Sequence, residues 1–519
     1  MIDNQTALSL IPELILLVMV VGAFIRDSKI LSVIGSVGMV AAACALVQWQ
    51  GLPWATDVIQ GSMDSLSATL RWLAFAIGLL LMLMAARPAA RSQAGELLGL
   101  VVLIVAGLMF VCGTDELVLM FLGLELISVP TYALLFIGRK DRNSGEAAVK
   151  YFFLSILSSA LFVLGLSLLY GATGATRYGQ LTEVLAGQSS ASRMVLLSVC
   201  LIFAGLGFKI AAVPFHFYAP DVYMATTNLN AGLLAVVPKV AGIAVLIRFA
   251  FVFAGVCPDF VWQLALIMSM LTMTIGKFCA LWQTHVRRLL AYSSIAHSGY
   301  LLIGVVVAIA SINAGQPVFD GMAATLLYLA MYAFASLGTF AVLSELSSDD
   351  QEMDTLEQLS GVGAKRPWLA GALAIFLFSL AGIPPLAGFW GKFTLIGGAL
   401  SVARAEEIAP YNSWFFALVV VALLNAAVGA VYYLRVIGTV YFGDRTGRQV
   451  ESRVGGSASL AAMVCAVVLI GLGILPSSFV GHFQRVGESL SPGIIDVQPA
   501  VPSVAVRPQV SLVRPAVGE

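Results

Sequence analysis

The chain has 519 residues, 60% of them hydrophobic and 11% charged, and its mean hydropathy of +0.95 lies far outside the range of soluble domains. It is the sequence of a membrane protein. Lys and Arg number 28 and so do Asp and Glu, which excludes the basic excess of a nucleic-acid binder and makes the position of each charge the informative quantity.

A hydrocarbon core about 30 Å thick needs about 20 apolar residues per helical crossing, and on that measure the sequence predicts about fourteen spans in an all-α polytopic chain. The first, 7–26, follows Asp3, which stands where a signal peptide carries positive charge, and no small-residue cleavage site comes after it. It reads as a retained span. The next are 29–49, 66–86, 95–113 and 115–138. The fifth carries Glu125 in "FLGLELISVP", ten residues past Asp115 and so roughly 15 Å into the membrane. A sixth span, 146–171, precedes an interrupted seventh, 194–218, whose "GLGFKIAAVPFHFYAPDVY" holds Lys209, Pro214, His216 and Pro220. Lys209 is nine residues, roughly 13 Å, from the cytoplasmic end of that span.

The eighth span, 228–253, carries Lys239 eleven residues in, roughly 16 Å deep. Spans 259–281, 289–312 and 320–346 follow, the tenth with His297 in "YSSIAHSGYLLIG". Span 12, 368–400, is longer than one crossing needs and contains "SLAGIPPLAGFWGKF", with Pro384, Pro385, Gly382, Gly388, Gly391 and Lys392. Spans 411–442 and 456–479 complete the set. Residues 1–480 read as the transmembrane domain. From 481 to 519 the prolines forbid a long helix, so this stretch reads as an extramembrane Pro-rich tail, either disordered or laid along a neighbour.

Loop cations set the orientation. Loops after odd-numbered spans hold Arg26 and Lys29, Arg87 and Arg91, Arg139, Lys140 and Arg142, Arg287 and Arg288, Lys365 and Arg366, and Arg445, Arg448 and Arg453. Loops after even spans hold acids such as Asp57, Asp115, Glu116, Asp320, Glu406 and Glu407, with only occasional arginines. The odd-to-even loops therefore face the cytoplasm and both termini face the other side. One exception is the loop after span 7, with Asp221 and no cation.

Broken helices in a bilayer are tolerated where the freed backbone groups meet protein or water. Spans 7 and 12 share an A-x-x-P core, ending at Pro214 and Pro384, and lie five spans apart. An odd separation makes the units around them cross in opposite directions, an inverted repeat of the kind that frames a transport path.

A charge at the bilayer centre costs at least ~2.5–3.5 kcal/mol, so Glu125, Lys209, Lys239 and Lys392 are a heavy burden for packing alone. Burial and a movable carboxylate act in opposite senses on a lysine's hold on a proton. Moving Glu125 toward or away from Lys209 would then load and unload it. Blander readings stand beside this one: a Glu–Lys pair as a static strut, lysines that snorkel or bond carbonyls, His297 as a satisfied packing residue. His216 is open in the same way. Lys150, Arg71 and Arg435 lie near span ends and read as snorkelling or headgroup contacts. The six cysteines, Cys44, Cys112, Cys200, Cys257, Cys279 and Cys465, have no ligand spacing, and neither a dinucleotide fingerprint nor a P-loop is present, so no redox centre, metal or cofactor site is expected in this chain.

With "IPELIL", "GLELISVPTYAL", "KYFFLSILSSALFVLGLSLLYG", "GFKIAAVPFHFYAPDVY", "YSSIAHSGYLLIG" and "SLAGIPPLAGFWGKF" together, the chain resembles the antiporter-like membrane subunits of respiratory complex I, NADH:quinone oxidoreductase, over about residues 8–480. The resemblance implies fourteen helices in which two five-helix units repeat in inverted orientation. It also implies proton translocation. The family's proton-path residues fall here on Glu125, Lys209, Lys239, His297 and Lys392. Lys392 stands where the M type has a glutamate, and the short tail replaces the L type's long lateral helix, so the N type is the best match. The Pro-rich tail itself departs from the family's pattern. Implied partners are an M-type and small membrane subunits in a bacterial cytoplasmic (inner) membrane, with lipid around them. FMN and iron–sulfur clusters, NADH and quinone would be bound by other subunits, and no nucleic acid is involved.

Three other readings remain at this point. A multi-subunit Na⁺/H⁺ antiporter or membrane-bound hydrogenase would share these charges and breaks. A stand-alone solute transporter would need a cluster of complementary polar side chains rather than single titratable groups. A membrane scaffold would leave the midplane lysines without a reason.

Overall fold

The computed structural model describes residues 65–85, 94–138, 142–188, 190–314, 321–347, 353–405, 411–443 and 456–490. The expected spans 7–26 and 29–49 and the stretch from 491 lie outside these. Everything described is helix and connecting turn, apart from two isolated bridges, Glu116 with Arg177 and His285 with Thr355.

In chain order, α1 is Ser65–Ala85, α2 Ala94–Gly113, α3 Leu117–Gly138 and α4 Arg142–Thr173. A short α5, Tyr178–Ala186, leads to α6, Arg193–Lys209, and α7, Tyr218–Ala225. Then come α8 Asn228–Ala254, α9 Pro258–Leu281, α10 Val286–Ala314 and α11 Gly321–Leu346. After a helical turn at Val362–Lys365 follow α12 Pro367–Ala381, α13 Ala387–Val402, α14 Asn412–Phe442, α15 Ser457–Ile474 and α16 Pro476–Leu490. Ten of these helices, α1–α4, α8–α11, α14 and α15, are long and apolar enough to cross a membrane. The chain is a multi-pass, all-α membrane protein.

Three helices, α8, α10 and α11, are buried on nearly every face, and they carry Lys239, His297, Tyr328 and Tyr332. By contrast α4 and α14 lie outside, with Phe152, Phe153 and Leu157 exposed on one and Phe416, Leu423 and Leu424 on the other. Helix starts use local chemistry: Ser192 accepts from Val195 N before α6, and Thr227 from Asn230 N before α8, each at 3.3 Å. The amphipathic α16 buries Phe483 and Val486 and packs on α11 and α1. It is helical through Leu490, ten residues past the expected end of the membrane domain.

The expected span 368–400 forms two helices, α12 and α13, and the expected span 194–218 ends its helix α6 at Lys209 and meets α7 only at Tyr218. At both junctions the first helix closes with the same hydrogen-bond pattern, a left-handed residue with a six-to-one bond across it. Ala211 (φ 56°) donates to Phe208 O and Ala212 to Gly207 O. Gly382 (φ 87°) donates to Ser379 O and Ile383 to Phe378 O. The peptide bonds before Pro214 and Pro385 are cis. The caps make Ala211 the counterpart of Gly382, so the two junctions correspond one residue later than the A-x-x-P match suggests.

Candidate functional site

Glu125 on α3 and Lys209, the last residue of α6, meet at 3.8 Å. The nearer partner of the Lys209 ammonium is Ser128, one turn along α3, which accepts at 2.6 Å. Ser159 of α4 donates to Glu125 Oε1 at 2.5 Å. Lys209 is 8% exposed and the Glu125 side chain 26%. The carboxylate is therefore held from both sides, by a hydroxyl of the outer helix and by the lysine within.

Lys239 lies deeper, on α8, directly after Pro238. That proline removes one helical N–H and loosens the turn above it. Lys239 is 1% exposed, donates to Ser294 Oγ at 2.5 Å and stands 5.8 Å from the centre of the Tyr332 ring. Among the described residues no carboxylate pairs with it.

The segment "YSSIAHSGY" reads as a polar stripe because Ser294, His297 and Tyr300 recur every three residues on one face of α10. His297 is fully buried, with Nδ1 at 2.7 Å from Tyr328 OH and Nε2 at 3.0 Å from Tyr433 OH. Tyr433 also hydrogen-bonds Ser293, and Ser294 bonds Tyr332 at 2.7 Å. Lys239, His297 and the tyrosines of α11 and α14 thus gather around one helix face. The Glu125–Lys209 cluster stands apart from it: between them Gly242 packs against Ile210 and Lys209, and Ser298 of α10 donates to Ile210 O at 2.5 Å and Ser294 O at 3.3 Å.

Lys392 reaches back across the junction it follows. The last four carbonyls of α12 have no helical partner. The cap occupies Phe378 O and Ser379 O, and the Lys392 ammonium takes the other two, Leu380 O at 2.9 Å and Ala381 O at 2.6 Å. It sits at the negative end of the α12 dipole and 5.3 Å from the centre of the Tyr300 ring. A Cβ on Gly382 would come within 2.8 Å of Lys392 Cδ and 3.1 Å of Nζ. Ala211 adopts the equivalent backbone, so crowding of the lysine, more than φ, is what an alanine adds here. Gly382→Ala is expected to displace Lys392, lower coupled proton transport several-fold and cost about 1–2 kcal/mol of stability. Transport in membrane vesicles and thermal unfolding of the purified assembly check both.

Several expected placements change. Arg71 does not snorkel: it is 2% exposed on α1, with its guanidinium against Gly113 at the end of α2, where helix C-termini favour cations. Arg435 caps α9 by donating to Leu281 O at 2.8 Å and Gln283 O at 2.7 Å. Lys150 pairs with Glu146 at 2.7 Å and with Asp221 at 3.5 Å, and Arg288 reaches Asp221 at 3.8 Å. The cations missing from the loop after span 7 are supplied by neighbouring elements. His216 is 8% exposed, its ring 4.6 Å from that of Phe217. Lys277 of α9, which sequence reading passes over, is fully buried among Tyr300, Tyr432 and Tyr433. Its only sequence signal is a lysine inside an apolar run, close enough to the helix end to resemble a snorkelling one. Among the described residues no group of three or more His, Cys, Asp or Glu could hold a metal ion.

The family model for the transmembrane region of NADH:quinone oxidoreductase and Mrp antiporter subunits matches residues 114–422, a stretch that contains all five candidate residues. The chain belongs to this family of membrane subunits. Among its relatives is the NADH-quinone oxidoreductase subunit N of Rhodospirillum rubrum, 36% identical over 76% of this chain and 76% of that protein. The NADH-quinone oxidoreductase subunit N 2 of Roseiflexus castenholzii is 35% identical over 93% of this chain and 95% of its own length. A chain in the structure of respiratory complex I from Thermus thermophilus with bound aureothin superposes with a TM-score of 0.72 at 30% identity, covering 91% of this chain and 99% of that one.

Proposed function

We propose that this chain works as the N-type membrane-arm subunit of a proton-translocating NADH:quinone oxidoreductase. It couples electron transfer from NADH to quinone, carried out in partner subunits, to proton movement through its own buried charges. The observation that carries this reading is Lys239, a deeply buried lysine with no described carboxylate partner, in a chain 35% identical to an N subunit over 93% of its length. In this reading a change arriving from a neighbouring subunit opens the Glu125–Lys209 pair. A proton then moves by way of Lys239 and His297 to or from Lys392.

Fourteen spans are proposed, with α6/α7 and α12/α13 as broken spans 7 and 12 of two inverted five-helix units. The shared cap at Ala211 and Gly382 supports that pairing. The translocation domain, expected to end at 480, extends through α16 to Leu490, with the Pro-rich stretch after it. The proposed setting is a bacterial cytoplasmic membrane with both termini on the non-cytoplasmic side. M-type and small membrane subunits lie beside the chain, and FMN, iron–sulfur clusters, NADH and quinone are held elsewhere in the assembly.

Gentle isolation of the tagged chain from its native membrane tests this. Co-purification with flavin and iron–sulfur subunits and inhibitor-sensitive NADH:quinone reductase activity is the expected result. Recovery with small membrane subunits, no redox protein and cation-dependent proton flux would overturn it in favour of an antiporter.

A further inference from the structure

Lys277 lies on α9, four residues before the helix ends at Leu281. There a lysine ordinarily runs its stem out to the headgroups, yet this one is fully buried. Two features turn it inward. A Cβ on Gly276 would meet the backbone of Ala296 and Tyr292, and one on Gly299 the backbone of Met273, so α9 and α10 touch backbone to backbone at this level. Side chains on a helix lean toward its N-terminus, which sends the Lys277 stem away from the nearby helix end and toward Tyr300.

The ammonium ends in a box of rings. Nζ donates to Tyr432 OH at 2.9 Å and stands 5.3, 5.2 and 5.9 Å from the ring centres of Tyr432, Tyr433 and Tyr300. None of the described ion pairs involves it. The box is connected in two directions. The Tyr432 and Tyr433 rings lie 4.4 Å apart, centre to centre, and Tyr433 OH hydrogen-bonds Ser293 and meets His297 Nε2 at 3.0 Å. On the other side, the Tyr300 ring faces both Lys277 and, at 5.3 Å, Lys392.

Resting on the proton-pump reading, we propose that Lys277 is a further proton-carrying residue, linked to His297 through the Tyr432 and Tyr433 hydroxyls and to Lys392 across the Tyr300 ring. The transfer balances within the chain. A proton leaving His297 Nε2 goes to the Tyr433 oxygen as Tyr433 passes its own to Tyr432, and Tyr432 passes its own to the Lys277 amine. Both hydroxyls are restored, and the reverse sequence returns the proton. Because Lys277 and Lys392 face one ring in a poorly solvated space, charge on one raises the cost of charge on the other. Charge on the two lysines at the same time is therefore disfavoured, and the ring couples them electrostatically without passing a proton.

The competing role is a fixed cation that only holds the rings together. Four variants, Lys277→Met, Lys277→Arg, Tyr432→Phe and Lys239→Met, separate the two when the whole assembly is reconstituted in liposomes and protons moved per NADH oxidised are measured, with subunit abundance checked. Lys277→Met and Lys277→Arg are both expected to lower that ratio by at least about fivefold, because arginine keeps the charge but does not release its proton. Wild-type pumping in Lys277→Met, or restoration by Lys277→Arg, overturns the proposal. Should the Lys277 variants fail to assemble, Tyr432→Phe, which keeps the lysine and the ring, decides: a comparable drop supports it and an unchanged ratio overturns it. If Lys239→Met also pumps normally, the pump reading itself has failed; if Lys239→Met is defective while Lys277→Met is not, only the role of Lys277 has.

Discussion

Lys239→Met is expected to cut proton translocation coupled to NADH oxidation by at least about tenfold, since a positioned proton-transfer group typically contributes 10²–10⁴-fold to the step it serves. Methionine keeps the unbranched length of lysine and its place in α8, where every neighbour is packed. What it removes is one ammonium that donates to Ser294 and faces Tyr332. No carboxylate among the described residues is left stranded, so the usual penalty for breaking a buried pair does not arise. The variant should therefore assemble to normal abundance. Protons moved per NADH, measured in reconstituted vesicles beside the abundance of the complex, give the answer. An unchanged ratio removes Lys239 from the path.

Lys392 should behave differently, because its ammonium has a structural duty as well. Lys392→Met leaves Leu380 O and Ala381 O without the donor they share, and a buried polar group left unmade costs about 1–3 kcal/mol. Both pumping and thermal stability are expected to fall. In Lys392→Arg the guanidinium can still donate to the carbonyls but holds its proton permanently. Stability is then expected to stay near that of the native protein while pumping is lost by at least about tenfold. If Lys392→Arg pumps normally, the ammonium is a cap and nothing more.

Much of the architecture was legible in the sequence, for a physical reason. A span must be about 20 apolar residues long, and each of the ten long helices announces itself by that length alone. The junctions at 210–217 and 382–386 were legible too, because proline and glycine cannot complete a helical ladder. Glu125 and Lys209 were legible as charges inside apolar runs, and the structure brings the expected pair to 3.8 Å. What could not be read is what depends on tertiary contact. A carbonyl-bonded Lys392 was among the blander readings of the sequence, but which carbonyls accept, Leu380 O and Ala381 O, no pattern of side chains reveals. Burial of Lys277 follows from the close approach of α9 and α10, and that of Arg71 from the end of α2. Helices α5 and α16 are shorter than a membrane crossing, so hydropathy passed over them. The register between the junctions required hydrogen bonds, since the residue counterpart of Gly382 is an alanine.

The carbonyl seat of Lys392 also bears on leakage. A carboxylate beside an ammonium neutralises it, yet can take the proton itself and so offers a private exit. The oxygens of Leu380 and Ala381 supply partial negative charge and no basic site. A cation seated on them is steadied without being given anywhere to discharge, so in the proposed pump a proton on Lys392 would find no exit through that helix end. In the language of circuits, the helix end is an insulator that happens to be polar.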